Sequence, residues 1–377
     1  LSLSPRWHLD AFYSFVRRDA TVNKEGVVTS FYNSGYHRTP TELAKKDAQG
    51  ERLYGLHLGY RATCFEAGLT AFRTEFDLPV VPRPAVYNAY SFTGTDNCNV
   101  GVDFRYRYRR LIVFGEASAS QSLGLAGIVG ATFGIDPNRR GSLYCRQYDV
   151  DYHALYASPL QRGSNASGER GLAAVYQTVL PLSIAASFQA DVYAFPYPRY
   201  AAYSPSHGVQ CRANLHRDLF RNASLQLSYF YRSQGTNETP PGQKEKIVGY
   251  PDRHNLSLLF NCKRGGWTFA SRLARSWYKE DFSPAAFGFL VGQDVAYAFS
   301  RPGITLTARL LLFDVDSYDA RLYAAEAGMR LSSVVYTGCG ERFYLVARYK
   351  INNWFTLACK YSATVYNDAE SIGSGYE

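Results

Sequence analysis

Apolar and polar residues alternate along nearly the whole chain. In 224–233, SLQLSYFYRS, Leu225, Leu227, Tyr229 and Tyr231 stand opposite Ser224, Gln226 and Ser228. In 304–313, ITLTARLLLF, Ile304, Leu306, Ala308, Leu310 and Leu312 oppose Thr305, Thr307 and Arg309. The stretches 343–351 (FYLVARYKI) and 355–366 (FTLACKYSATVY) repeat the pattern. A period of two puts one set on each face of a strand. Short turn-like pieces separate these strands at 109–111, 136–141, 262–267, 300–303 and 351–354. Longer polar pieces fall at 23–52, 77–97, 157–170, 195–207, 233–251 and 279–286.

Short and long connections around about eighteen segments of roughly ten residues are the layout of a membrane barrel. The pattern therefore predicts an all-β fold: a transmembrane antiparallel β-barrel of about 18 strands, a single domain over 1–377, incomplete at both ends. Strand ends around 329–343 (MRLSSVVYTGCGERF) cannot be placed from the pattern. A soluble sandwich would have uniformly short turns, and a propeller would repeat every ~40–50 residues, which this chain does not. The uncharged run 117–135 has only an apolar second half, short of the ~20 residues a helical span needs. Its Gly124, Gly127 and Gly130 read as relief in a curved strand.

Composition supports the strands. Tyr occurs 31 times and Phe 23 times, while Met occurs once. The balance of 41 Lys and Arg against 32 Asp and Glu, +9 overall, favours anionic partners without choosing among them. Seven cysteines include no CxxC pair and no zinc-type spacing to histidine, so isolated small hydrophobes are expected, with a disulfide the alternative. No signal peptide is visible, and Leu1 suggests that the start of the precursor is missing.

Catalytic motifs are absent: no HExxH, GxSxG or P-loop occurs, so neither an enzyme nor a metal or cofactor site is expected. What remains is the charged parity. The stretch 100–120, VGVDFRYRYRRLIVFGEASAS, interleaves arginines with aromatic rings in the manner of a nucleic-acid surface. On a strand, however, the two sets point to opposite faces and cannot act together. The polar parity gives Asp103, Arg105, Arg107, Arg272, Arg309, Arg348, Lys350 and Lys360 as candidate pore-lining residues, a basic set suited to anionic solutes. The competing reading has them snorkel to headgroups or pair with inward acids. In 35–47, GYHRTPTELAKKD, Thr39 can cap a helical turn begun by Glu42 and Leu43. Tyr36, His37 and Arg38 are candidate loop contacts to a partner, or residues packed on the rim.

Four loop-rich stretches resemble a family of outer-membrane proteins of the Bacteroidota known as helix-hairpin-helix, competence-type DNA-binding proteins. They are TSFYNSGYHRTPTELAKKD (29–47), VYAFPYPRYAAYSPSHG (192–208), LLFDVDSYDARLYAAE (311–326) and the closing IGSGYE (372–377). The resemblance implies a barrel in the bacterial outer membrane, in contact with lipid and lipopolysaccharide. It also implies a periplasmic helix-hairpin-helix module, absent here, through which DNA would be bound, and outer-membrane protein or lipoprotein partners. The family would continue past 377 into a final strand ending in an aromatic residue. Two functions are expected: a channel or translocation component for an anionic substrate such as DNA, or a scaffolding barrel with a plugged lumen that binds partner proteins. A barrel-embedded lipid hydrolase is a third, distant alternative.

Overall fold

The computed structural model describes residues 3–328 and 332–367. In chain order its strands are β1 (Trp7–Arg18), β2 (Ala20–Val22), β3 (Val28–Phe31), β4 (Gln49–Arg61), β5 (Phe65–Val80), β6 (Gly94–Tyr108), β7 (Leu111–Ser120) and β8 (Leu125–Asp136). There follow β9 (Arg139–Tyr148), β10 (Glu169–Leu180), β11 (Ile184–Phe195), β12 (Ser206–Phe220), β13 (Ala223–Gln234), β14 (Thr236–Glu238), β15 (Ile247–Gly249) and β16 (Asp252–Arg264). The last are β17 (Trp267–Lys279), β18 (Ala286–Ala298), β19 (Ile304–Val315), β20 (Leu322–Glu326), β21 (Ser332–Tyr336), β22 (Gly338–Lys350) and β23 (Thr356–Tyr366). One four-residue helix, α1 (Pro40–Leu43), interrupts them.

Nineteen strands form one sheet, and β14–β15 and β20–β21 are separate hairpins. The expected all-β, many-stranded antiparallel fold is present. Setting aside the short β2 and β3, 3 and 4 residues long, 17 of the 19 are long strands, against about eighteen expected. The turns fall where the pattern put them: Arg109–Arg110, Pro137–Asn138 and Gly265–Gly266 join adjacent strands. The sequence left 329–343 unassigned; β22 begins at Gly338, while 329–331 lie outside the described residues, as does the closing IGSGYE.

The chain divides into two compact units, Leu1–Val175 with Asp191–Gly208 and Lys246–Val248, and Tyr176–Ala190 with Val209–Glu245 and Gly249–Glu377. In the first, β1, β4, β5, β6, β7, β8 and β9 pair in that order, each antiparallel to the next. In the second, β13, β16, β17, β18, β19, β22 and β23 do the same.

Registry carries the alternation across the strands. In the first unit Leu9, Leu58, Leu69, Val102 and Ala117 face one another along one row. In the second Leu227, Leu258, Leu273, Val291 and Leu312 do so. These faces are open: Leu56 is 53%, Val102 53% and Leu310 54% exposed, whereas Arg146 is 3%, Glu169 0% and Glu326 2% exposed. Exposed leucine with buried arginine and glutamate inverts a water-soluble protein, and a continuous apolar face of this extent is stable against lipid. Glycines adjust the wall locally. A Cβ at Gly130 would stand 2.7 Å from the ring of Phe114, its cross-strand partner, so the missing side chain makes room for that ring.

The predicted helical turn is present as α1, although it begins at Pro40 rather than at Glu42. Thr39 is its N-cap and accepts a hydrogen bond from the Glu42 backbone N–H, with Pro40 in the first turn. Glu42 reaches back in turn: its carboxylate accepts the Arg38 backbone N–H at 2.7 Å and the Arg38 guanidinium at 3.2 Å. These bonds, the side-chain bond from Arg38 above all, lower the Glu42 pKa to about 2.

Replacing Leu56 or Val102 by Arg will destabilise the inserted protein by about 2–4 kcal/mol if the position is near mid-membrane. Gln226→Arg, on the polar parity, will change stability by no more than about 0.5 kcal/mol; denaturant unfolding in lipid vesicles measures both. Because the folded Glu42 carboxyl is depressed, its stabilising effect on α1 is present above the usual carboxylate range and is lost as pH falls through about 2. Carbon-13 NMR titration will place Glu42 near that value and, in Arg38→Ala, return it towards the usual range.

Candidate functional site

The connection from β19 to β22 is where the charged parity gathers. Between these strands the chain folds into the β20–β21 hairpin, which docks on the polar face of the second unit. Leu322, Ala324 and Tyr336 of the hairpin pack with Leu290, Leu311 and Phe313, all buried. The hairpin's approach is fixed at Ala320, whose carbonyl accepts the Ser276 hydroxyl. Arg253 donates to the Asp319 carbonyl at 2.6 Å.

Glu326, at the end of β20, is the centre of the arrangement. Its carboxylate accepts Arg342 at 2.5 and 3.1 Å, Lys360 at 2.7 Å and the Tyr336 hydroxyl at 3.0 Å. A carboxylate with no exposed side-chain surface is tolerable only with such partners, since an unpaired buried charge costs several kcal/mol. Beside it Arg309 makes a two-pronged pair with Asp294, one arm at 2.5 Å, and donates to the Ala325 carbonyl at 2.8 Å. The Arg309 guanidinium also lies 4.9 Å from the Tyr344 ring centre. Arg348 donates to the Gly328 carbonyl, and the Ala327 N–H donates to the Tyr344 hydroxyl at 3.3 Å. Registry explains the grouping: Asp294 faces Arg309, Arg309 faces Tyr344 and Tyr344 faces Ser362, two positions along from Lys360's pairing with Val346.

The structure therefore brings together three of the eight candidate pore-lining residues, Arg309, Arg348 and Lys360, as anchors of a docked hairpin. Arg272 shares their face, half-buried and facing Gly292, two positions from Asp294. Lys350 is exposed at the end of β22, beside the 351–355 turn. Asp103, Arg105 and Arg107 belong to the first unit and are exposed; Arg105 lies 3.7 Å from Glu66. Tyr36, His37 and Arg38 contact the protein itself: His37 pairs with Asp19, between β1 and β2, at 2.6 Å, and Arg38 covers the Tyr36 ring at 4.1 Å.

Sequence reasoning missed Glu326, Arg342 and Asp294. Arg342 shares the parity of Arg348 and could have been read with it, whereas no local spacing ties Glu326 or Asp294 to the basic set. It also missed the counterpart in the first unit. There Arg146 pairs with Glu169 at 2.7 Å and Asp191 at 3.0 Å, and Arg162 with Asp191 at 2.6 Å. Arg146, Glu169 and Asp191 expose no side-chain surface. Through Arg162 and Glu169 this network holds the 149–168 connection, which also folds inward: Tyr156 donates to Glu51, and Asn97 and Asn99 donate to the His153 carbonyl at 2.8 and 2.9 Å.

Among the described residues no helix is long and apolar enough to cross a membrane, and no cluster of metal-ligating side chains occurs; Cys64, Cys98, Cys145, Cys211, Cys262 and Cys359 are free thiols.

No family model matches the sequence, and no curated protein matches it. Solved structures with a similar fold include FpvAI in complex with pyocin S2, at 10% identity and TM-score 0.49, covering 93% of this chain and 59% of that one. The FrpB iron transporter from Neisseria meningitidis is similar at 11% identity and TM-score 0.37, covering 91% of this chain and 70% of that one. A BenF-like porin from Pseudomonas fluorescens Pf-5 has 10% identity and TM-score 0.38, with 97% of this chain and 94% of that one covered. The chain thus spans less than two thirds of the FpvAI chain. At these identities and scores the likeness carries no substrate or activity across.

Proposed function

We propose that this chain is a β-barrel of the bacterial outer membrane with a transport role, in which the β20–β21 hairpin controls passage. One observation carries the reading: the basic side chains of the polar face are engaged by an inward-folded connection rather than by opposite strands alone. Arg309, Arg342, Arg348 and Lys360 hold the hairpin through Ala325, Glu326 and Gly328. These four cations meet two carboxylates, Asp294 and Glu326, so release of the hairpin exposes a basic surface. Such a surface concentrates anionic solutes, as rings of cationic side chains do in anion-selective pores. Catalysis has no part in it. Membership of the Bacteroidota family remains part of the proposal, supported by its loop motifs; DNA as cargo has no support in the barrel itself.

A second reading is favoured by the fully buried Arg146–Glu169–Asp191 network, which holds its connection with no exposed side-chain surface. It describes a scaffold whose interior is permanently filled.

Planar-bilayer conductance separates the two. Glu326→Gln removes the charge that Arg342 and Lys360 share but leaves the strand ladder intact. It will raise the fraction of time spent conducting by roughly tenfold, a shift of about 1.4 kcal/mol. Adding Arg348→Gln and Lys360→Gln will abolish anion preference in the conducting state. If Glu326→Gln inserts with native heat stability yet conducts no more than the parent, the gate is refuted and the scaffold reading stands.

A further inference from the structure

The connections 81–93, 149–168 and 196–205 of the first unit enclose a cavity of about 700 Å³, within the range of small-molecule sites. Its walls are unlike the rest of the polar face. Tyr90 and Tyr197 meet edge to face with ring centres 4.8 Å apart, and Tyr87 and Tyr200 do the same at 5.5 Å. Each pair takes one ring from 81–93 and one from 196–205, so the rings brace the two connections against each other while keeping surface towards the cavity. Between them the lining is rich in amide and hydroxyl groups, including Asn88, Asn165, Ser164 and Ser167.

Charge in this lining has one sign. Arg162 and Arg199 contribute to it, and among the described lining residues there is no Asp or Glu. Arg162 spends its Nε on Asp191 at 2.6 Å, while its Nη2, buried, has no hydrogen-bond partner. A buried guanidinium N–H of this kind is costly unless an acceptor oxygen completes it. Arg199 is held with its guanidinium 3.5 Å from the Phe195 ring centre.

We propose that this cavity binds a small acidic carbohydrate, of the hexuronate type. A pyranose ring offers C–H faces to tyrosine rings and a rim of hydroxyls to Asn and Ser groups. A carboxylate on the ring is the counter-charge to the two cations of the lining, Arg162 and Arg199, and no Asp or Glu in the lining repels it. A flat aromatic acid would satisfy the arginine but leave the amides and hydroxyls unpaired. A neutral sugar would do the reverse. The proposal concerns binding at these connections and is independent of the hairpin in the other unit, so a conductance result leaves it untouched.

Calorimetric titration of the purified protein in detergent micelles with glucuronate, glucose and benzoate tests it. Glucuronate will saturate and bind at least about tenfold more tightly than either of the others. Arg162→Gln will remove the advantage of glucuronate over glucose. Because Arg162 also pairs with Asp191, Tyr90→Leu and Asn165→Leu are the companion variants, neither side chain being a member of that ion-pair network. Each will weaken glucuronate by roughly fivefold or more, Asn165→Leu with the melting temperature unchanged. Glucose or benzoate binding as tightly as glucuronate, no saturation up to about 10 mM glucuronate, or undiminished binding in both companion variants overturns the proposal.

Discussion

The long strands of the large sheet answer one requirement: a backbone placed in lipid has no water to bond to and must pair every N–H and C=O with a neighbour. The long antiparallel ladders meet it, and they leave the side chains free to sort by parity. From that sorting follow the exposed rows through Leu58 and Val102 and through Leu258 and Leu312, and equally the polar face behind them. With the ladder fixed, the sole freedom left is what covers the polar face. Here the answer is the protein's own connections.

Covering that face buries charge, and buried charge must be paired. Arg309 with Asp294, Glu326 with Arg342 and Lys360, and Arg146 with Glu169 and Asp191 meet this need at 2.5–3.1 Å. Hydrophobic contact alone would not select these loop positions. Leu322 and Ala324 could slide along an apolar floor of Leu290, Leu311 and Phe313, whereas the two oxygens of Glu326 fit one place between Arg342 and Lys360. The apolar contacts therefore supply burial and the ion pairs supply registry.

Parity was legible in the sequence because a period of two survives any tertiary arrangement: shifting a strand by one residue would put every leucine of the row on the wrong face. The turns at 109–110, 137–138 and 265–266 were legible for the same reason, since they interrupt the period. The cap of α1 was legible because Thr39 and Glu42 are three residues apart and carry a local mechanism. What could not be read was the meeting of connection and wall. Glu326 lies 34 residues from Lys360, and Tyr156 lies 105 residues from Glu51. No local pattern links such pairs, and a basic parity looks the same whether it faces water, an anion or a carboxylate delivered by a loop. The stretch 311–326 held the answer as a motif, and 192–208 runs through the tyrosines of the cavity, yet neither betrays its contacts by spacing.

The two inward-folded connections differ in a way that bears on which of them can move. In the first unit the Arg146–Glu169–Asp191 group exposes no side-chain surface, and Arg162 adds a second cation at 18%. Parting these groups would strand charges where water does not reach, so the cost is close to that of breaking a fully buried pair, about 3–5 kcal/mol. In the second unit Arg342 and Lys360 are 16% and 23% exposed, although their shared carboxylate is buried. Water already reaches both cations, so as the hairpin lifts they are solvated while Glu326 travels out with β20 towards solvent. The cost per pair falls towards that of a partly exposed ion pair. The connection built on a wet latch is the one able to open, while the dry one keeps the cavity of the first unit in shape.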